Sequence, residues 1–429
     1  MVFDEPYILV GAERVLRGEV PFRDFYALYP PGQYFAVAGL FGLFGVKAQV
    51  LRLYCVAVRA LIGALLYDAA RQAAGRAAAA ICWLLATLWL VWTEFYGYPM
   101  FAALALVLVA FALLRFDVDA ARRPRARIFA AGVALGLAGL FRHDLAFYGL
   151  VAAAPLLWVL LPRRAAAGGR RAWADAARTS WPFLAGVAAA FGIPFLVLLA
   201  VAPWREMFFE LVVYPSMIYP LVRRVGYRPL LPAALGDVLV QPKLLLVTLV
   251  NLPWYVPVAV DAAALAAVGA RMWRRRPAGL GIREATVAGL ALLSLFAFNA
   301  GRVRPDAVHM LAMILPSYAV AAALVAYAWR RKDAAARAAG AAGAAACLLT
   351  AVQPVLEFPD GSLACLRKSC AGRQEAARAF DVQADPSIRE AADYLRAAVP
   401  PGQRIFVGCG RHDMVVINEP VLYFLSERA

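Results

Sequence analysis

The sequence predicts an all-α polytopic membrane protein: a helical bundle of about ten spans. Juxtamembrane helices and a small C-terminal extracytoplasmic α/β segment are expected to complete it. Three observations carry that prediction. Of 429 residues, 63% are hydrophobic and 17% charged, against about half and a quarter in an average soluble chain. Apolar runs such as AAAAICWLLATLWLVW and WPFLAGVAAAFGIPFLVLLAV approach the roughly 20 residues that cross a hydrocarbon layer as a helix. Arginine gathers in every second junction between those runs.

Taken in order, the chain starts MVFDEP, with Asp4 and Glu5 where a signal peptide has a basic start and an apolar core. PYILVGAERVLRG reads as an amphipathic helix. QYFAVAGLFGLFG, residues 33–45, is too short for a span and is bounded by Pro30-Pro31 and Gly45, which suits a re-entrant or interfacial helix. Spans are expected at 51–70, 77–94, 98–115, 127–142, 144–161, 180–202, 243–268, 285–300, 308–329 and 338–356. Basic clusters stand at Arg71/Arg76, Arg115 to Arg127, Arg163 to Arg178, Arg271 to Arg283 and Arg330 to Arg337. Two spans separate each cluster from the next, so one assignment fits all: basic junctions cytoplasmic, the others external. The N-terminus then starts outside, and a first span ahead of Met1 is expected to be missing. The tail leaves the last span on the external side. There SIREAADYLRAAV reads as an amphipathic helix with Ile388, Ala391, Ala392 and Leu395 on one face. RIFVGC reads as a strand, and EPVLYFLSE as a second helix or strand. The expected division is thus an external loop at 1–50, a transmembrane domain at 51–356 and an extracytoplasmic segment at 357–429.

Several functions are excluded. The net charge of +16 sits in junctions between spans, as membrane topology requires, so it does not indicate nucleic acid. There is no GxxxxGK[ST] loop, no GxGxxG after a strand, no HExxH and no GxSxG elbow. Histidines 143, 309 and 412 are too dispersed for structural zinc. No metal site and no cofactor is implied, and a divalent cation is left open. Cys55, Cys82 and Cys347 lie in apolar runs as packing residues, whereas Cys365 and Cys370 in CLRKSC are close enough to bridge in an oxidising compartment.

The candidate site lies at the external ends of the spans. Asp4, Glu5, Arg52, Glu94, Arg142, Asp144, Arg302, Arg304, Asp306 and His309 all fall there. Positive-inside bias depletes external junctions of arginine, and a charge at membrane depth costs at least about 2.5–3.5 kcal/mol. Arg142 alone reads equally well as a snorkelling side chain. Arg302 and Arg304 precede Pro305 at a helix start, where free amide protons favour anions, and arginines beside them make a phosphate site. Gly132 and Gly136 in GVALG read as helix-packing positions.

The stretch DE, then ERVLRGEVPFRDFYALYPPGQYF, then LFG, then Arg52 in VLRLY resembles the first external loop of the GT-C polyprenyl-phosphate-sugar glycosyltransferases. That group includes the protein O-mannosyltransferases and the lipid A aminoarabinose transferases. AAGVALGLAGLFRHD, RVRPDAVHMLAMILP and the tail PGQRIFVG...EPVLYFLSER extend the resemblance over most of the chain, less specifically. It implies a GT-C bundle in which Asp4 is the catalytic base and Glu5 orients it or the acceptor. Arg52, Arg142, Arg302, Arg304 and His309 would face the lipid phosphate, with Asp144 and Asp306 completing the substrate-binding set. Relatives carry an Asp at the outer start of the helix near position 98; here the stretch is TEFYGYP, and Glu94 stands in for it. The implied donor is a polyprenyl-phosphate sugar, undecaprenyl in a bacterium or dolichyl elsewhere. The acceptor is a protein, lipid or glycan, and the setting is a bacterial inner membrane with the site on its extracytoplasmic side. Two rivals are a transporter or flippase of lipid-linked sugars and a non-catalytic envelope scaffold. A transporter predicts inverted repeats and mid-depth charges, but no repeat is evident and the charges above lie at span ends.

Overall fold

The computed structural model describes residues 5–27, 29–93, 97–115, 125–160, 170–222, 248–275, 280–301, 304–331, 333–356, 386–407 and 420–427. Asp4, Glu94, Arg302, Cys365 and Cys370 lie outside these residues.

Two short helices come first, α1 (Glu5–Leu16) and α2 (Gly32–Phe44). At 13 residues, α2 reaches only about 20 Å, short of the roughly 30 Å hydrocarbon layer. Its face carries Phe35, Leu43 and Phe44, all at least half exposed. It stops at Gly45, whose φ of +84° suits glycine at a helix C-terminus. The bundle follows with α3 (Ala48–Ala74), α4 (Arg76–Trp92), α5 (Pro99–Arg115), α6 (Arg125–Phe141), α7 (His143–Ala152) and α8 (Ala154–Val159). Next come α9 (Arg170–Val187), α10 (Ile193–Val201), α11 (Trp204–Phe208) and α12 (Tyr219–Val222). The last bundle helices are α13 (Val256–Arg275), α14 (Ile282–Gly301), α15 (Ala307–Trp329), α16 (Ala334–Leu349) and α17 (Val352–Leu356). Alanine and leucine dominate these segments, so propensity and apolar burial agree. Gly75, at φ +97°, makes the turn between α3 and α4.

Each expected span contains a helix, and four differ in form; that at 338–356 is divided at Thr350–Ala351 into α16 and α17. The span at 144–161 is divided at Ala153 into α7 and α8, with Pro155 in the first turn of α8. The span at 180–202 is the later part of a helix from Arg170. It widens into a π-helical segment at Ala188–Gly192 just before Pro194, which has no amide proton for the α ladder. The span expected at 243–268 is interrupted near its start. Residues 252–254 form a 3₁₀ turn, and α13 begins only at Val256. Pro253 and Pro257 remove two ladder donors, and the Trp254 indole N–H instead donates to the Pro305 carbonyl at 2.6 Å.

Among the described residues, six helical segments are long and apolar enough to cross a membrane: Ala48–Ala74, Ala177–Val201, Val256–Trp273, Ile282–Asn299, Ala307–Trp329 and Ala334–Leu356. The chain is an integral membrane protein by these dimensions. At the arginine-bearing ends of these helices Asp68 of α3 binds Arg71 at 2.9 Å and Arg115 of α5 at 3.0 Å, and Arg271 of α13 binds Glu284 of α14 at 3.0 Å.

There is a second hydrophobic cluster. It joins Ile8, Leu9, Phe41 and Leu51 to Met207 and to two tail helices, α18 (Pro386–Ala398) and α19 (Pro420–Ser426). The predicted face of α18 is its inner one: Ala392 is buried and Ile388 packs against the cluster. Arg404 ties the tail to Glu19 at 3.0 Å. The strand expected in RIFVGC does not form over residues 404–407, and its remaining residues lie outside those described. Among the described residues there is an isolated bridge, Pro21 with Phe25, and no strand.

Candidate active site

The turn between α6 and α7 leaves a single residue, Arg142, in extended conformation at φ −150°, ψ 100°. Its guanidinium grips Asp144 through both arms, Nε to Oδ1 at 2.9 Å and Nη2 to Oδ2 at 2.6 Å. Nη1 donates to the Tyr98 hydroxyl at 2.8 Å. A planar fork satisfied on two sides is fixed in place, which suits recognition of a planar or tetrahedral anion. Asp144 is in turn held by the Leu145 amide at 2.8 Å.

Tyr98, just ahead of α5, is the centre of the assembly. Its ring meets those of Tyr29, Phe101 and His309 edge-on, with centroids 5.7, 6.4 and 5.6 Å away. His309 stands in the first turn of α15, whose N-cap is Asp306. The Asp306 Oδ1 accepts from the His309 amide at 3.0 Å and lies 2.6 Å from its Nδ1. Its Oδ2 pairs with Arg304 Nε at 2.8 Å. Burial pushes the Asp306 carboxyl up, but the bonds and charge of His309 and the Arg304 charge outweigh it and hold it below the usual range. Arg304 Nη1 lies 3.5 Å from the Tyr219 hydroxyl. Its side chain is 40% exposed, against 20% for Arg52 and 17% for Arg142. Tyr98, Arg142, Asp144, Tyr148 and His309 line one cleft.

A second pair sits at the same end. Glu5, the first residue of α1, is buried and binds Arg52 through both oxygens, at 3.0 and 3.2 Å. Close backbone approaches tie this pair to the cleft. A Cβ on Gly97 would come 2.8 Å from Leu51 Cδ1 and 3.3 Å from Gln33 Nε2. A Cβ on Gly32 would come 2.6 Å from the Leu140 carbonyl, two residues before Arg142.

Among the expected residues, then, the fold places Arg142, Asp144, Arg304, Asp306 and His309 in one assembly and pairs Glu5 with Arg52 beside it. Each of the three guanidiniums already faces a carboxylate, so the assembly is preorganised rather than simply positive. Sequence reasoning passed over Tyr98 and Tyr29 because an uncharged aromatic near a span end breaks no topological rule. It also passed over Glu210, which is buried among aromatics and accepts from the Ala27 amide at 2.8 Å. Burial pushes the Glu210 carboxyl up to about 7, with the Ala27 amide opposing and the Glu206 charge adding. Two acids one helical turn apart, Glu206 and Glu210, in a largely apolar stretch were the available signal. Among the described residues, no three His, Cys, Asp or Glu side chains converge as metal ligands.

Solved structures share this architecture. The chain is similar to crystal structures of ArnT from Cupriavidus metallidurans. The form bound to undecaprenyl phosphate gives a TM-score of 0.55 at 15% identity, covering 100% of this chain and 80% of that one. The apo form gives 0.54 at 14%, with the same coverage. The archaeal oligosaccharyltransferase AglB from Archaeoglobus fulgidus, in complex with an inhibitory peptide and a dolichol-phosphate, gives 0.50 at 13%, covering 99% and 60%. The chain has the GT-C fold. No family model and no curated protein matches the sequence. In this GT-C chain the charged assembly sits at the Tyr98 end of α5, away from Arg115 at its other end.

Proposed function

We propose that the chain is an inverting membrane glycosyltransferase that moves a sugar from a polyprenyl-phosphate donor to an acceptor, with its site on the extracytoplasmic face of a bacterial plasma membrane. The observation that carries the reading is the convergence of Arg142, Asp144 and His309 in one cleft, with Asp306 and Arg304 joined to it through His309, beside the Glu5–Arg52 pair, on a GT-C bundle. The similar ArnT structure bound to undecaprenyl phosphate supports the choice of donor.

In the reaction, the acceptor oxygen or nitrogen attacks the sugar C1 from the face opposite the phosphate. The C1–O bond to phosphate breaks, and its electron pair leaves with the lipid phosphate. Asp4, directly ahead of Glu5, takes the acceptor proton as general base. Charge grows on the departing phosphate, and fixed guanidiniums stabilise it without reorganising. Arg304, the most exposed of the three, is the first contact for that phosphate, with Arg142 and His309 deeper in the cleft. Glu5, locked to Arg52, sets the start of α1 and hence the position from which Asp4 works.

Reconstitution of the protein in liposomes with radiolabelled undecaprenyl-phosphate sugar and a panel of acceptors tests this. Asp4→Asn should cut transfer by roughly 10²–10⁴-fold, and Arg304→Ala by roughly 10²–10³-fold. Undiminished turnover in Asp4→Asn removes the base assignment. Donor moving between leaflets without sugar transfer favours a flippase.

A further inference from the structure

The bundle holds a polar cluster that this chemistry does not use. Asp261 of α13, Ser294 of α14 and Ser317 of α15 meet in the interior, each at most 3% exposed. Asp261 Oδ2 contacts both serine hydroxyls, that of Ser317 at 2.6 Å. The two hydroxyl oxygens are 2.8 Å apart, and each lies 2.9 Å from the Met313 carbonyl oxygen. Four oxygens thus make five close contacts. Two hydroxyl protons serve only two of them, and the other three set lone pair against lone pair. Asp261 Oδ1 is also buried and has no hydrogen-bond partner among the described residues. Along α15, Ser317 lies eight residues past His309, roughly 12 Å deeper at about 1.5 Å per residue. The cluster is therefore a separate feature from the cleft.

A carboxylate at this depth carries a cost of at least about 2.5–3.5 kcal/mol on insertion scales and calls for a charge partner. Among the described residues its hydrogen-bond partners are the two serines. A carboxylate, two hydroxyls and a carbonyl make an all-oxygen donor set, the hard type that selects alkali and alkaline-earth cations over soft metals. A single negative charge matches a monovalent ion, and the compactness of the cluster favours a small one. Pro316, in the same turn as Met313 and Ser317, gives no amide proton to the Ala312 carbonyl, so the α15 backbone is locally free to adjust.

We infer that Asp261, Ser294, Ser317 and the Met313 carbonyl form a sodium-ion site that ties α13 to α14 and α15. The ion accepts a lone pair from each oxygen and cancels the carboxylate charge, which two hydroxyl protons do not achieve. The oxygens touch one another, so seating the ion spreads the serines slightly from Asp261.

Thermal unfolding of the full chain in detergent tests the site, with sodium, potassium or choline chloride at constant ionic strength. Sodium should raise Tm in a saturable way and choline should not, as expected for a ligand of the folded state. Asp261→Asn, which keeps the shape and removes the charge, should lose the sodium dependence. Ser317→Ala, which removes one donor, should raise the half-saturating sodium concentration by roughly tenfold or more. Equal melting of the unsubstituted protein in all three salts overturns the site; a proton on Asp261 then supplies the missing bond. A sodium effect that survives both substitutions places the ion elsewhere and overturns it too. Should Asp261→Asn fail to fold, Ser317→Ala and Ser294→Ala decide the matter by the same measurement.

Discussion

Arg142 shows how much one side chain is asked to do: it spends two arms on Asp144 and a third nitrogen on Tyr98. Lysine keeps the charge but offers a single point donor in place of a planar fork. Arg142→Lys should therefore lower sugar transfer by roughly 10²-fold, the scale of losing a preorganised donor, while the melting temperature changes far less. Comparing initial rates with thermal melts separates the two effects. Glu210 makes a different prediction, one of pH. Its folded carboxyl titrates at about 7, above the ordinary 4.5, so the folded chain keeps a proton that the unfolded chain releases. The stabilisation is full below about pH 4.5 and is lost as pH rises through about 7. Glu210→Gln should flatten the dependence of melting temperature on pH across that window, and an unchanged slope would assign it to other groups. At this scale, legibility depended on residues breaking a rule. Arg142 and Arg304 stood out because external junctions should lack arginine. Tyr98 broke none, and Asp261 was absorbed into an apolar run whose partners, Ser294 and Ser317, come from other helices.

Among the elements, the crossing of α6 and α9 is the tightest described contact. A Cβ on Gly132 would sit 2.0 Å from the Phe183 carbonyl oxygen, and one on Gly186 2.2 Å from that of Phe129. No alanine fits without parting the two backbones, which is how small residues let membrane helices approach. Gly132→Ala should cost about 1–3 kcal/mol, as overpacking does, read by denaturation in detergent. Gly39, inside α2 with nothing within 4 Å, is the natural control. Gly39→Ala should be neutral or stabilise by up to about 1 kcal/mol through helix propensity. The GVALG spacing announced the packing role of Gly132 and Gly136 before any coordinates. The break at Leu252–Trp254 was less legible, because Pro253 and Pro257 alone do not say whether a helix bends or stops. The Trp254 bond to Pro305 that makes a complete stop favourable depends on a loop 51 residues away.

For the molecule as a whole, arginine parity across five clusters was the most informative pattern in the sequence, and it predicts which residues face each side. Cysteines substituted for Arg76 and Arg337 should react with impermeant maleimide only from the cytoplasmic side, and those for Glu19 and Lys47 only from the other. Labelling of all four from one side would break the topology. The tail was harder to read, since its helices acquire a core only by docking on α1, and sequence periodicity does not name the partner. The architecture that results has two hydrophobic clusters, and Tyr29 packs against both while its ring edge meets Tyr98. One ring thus bridges the surface helices to the bundle, so Tyr29→Ala should loosen both cores at once rather than either alone.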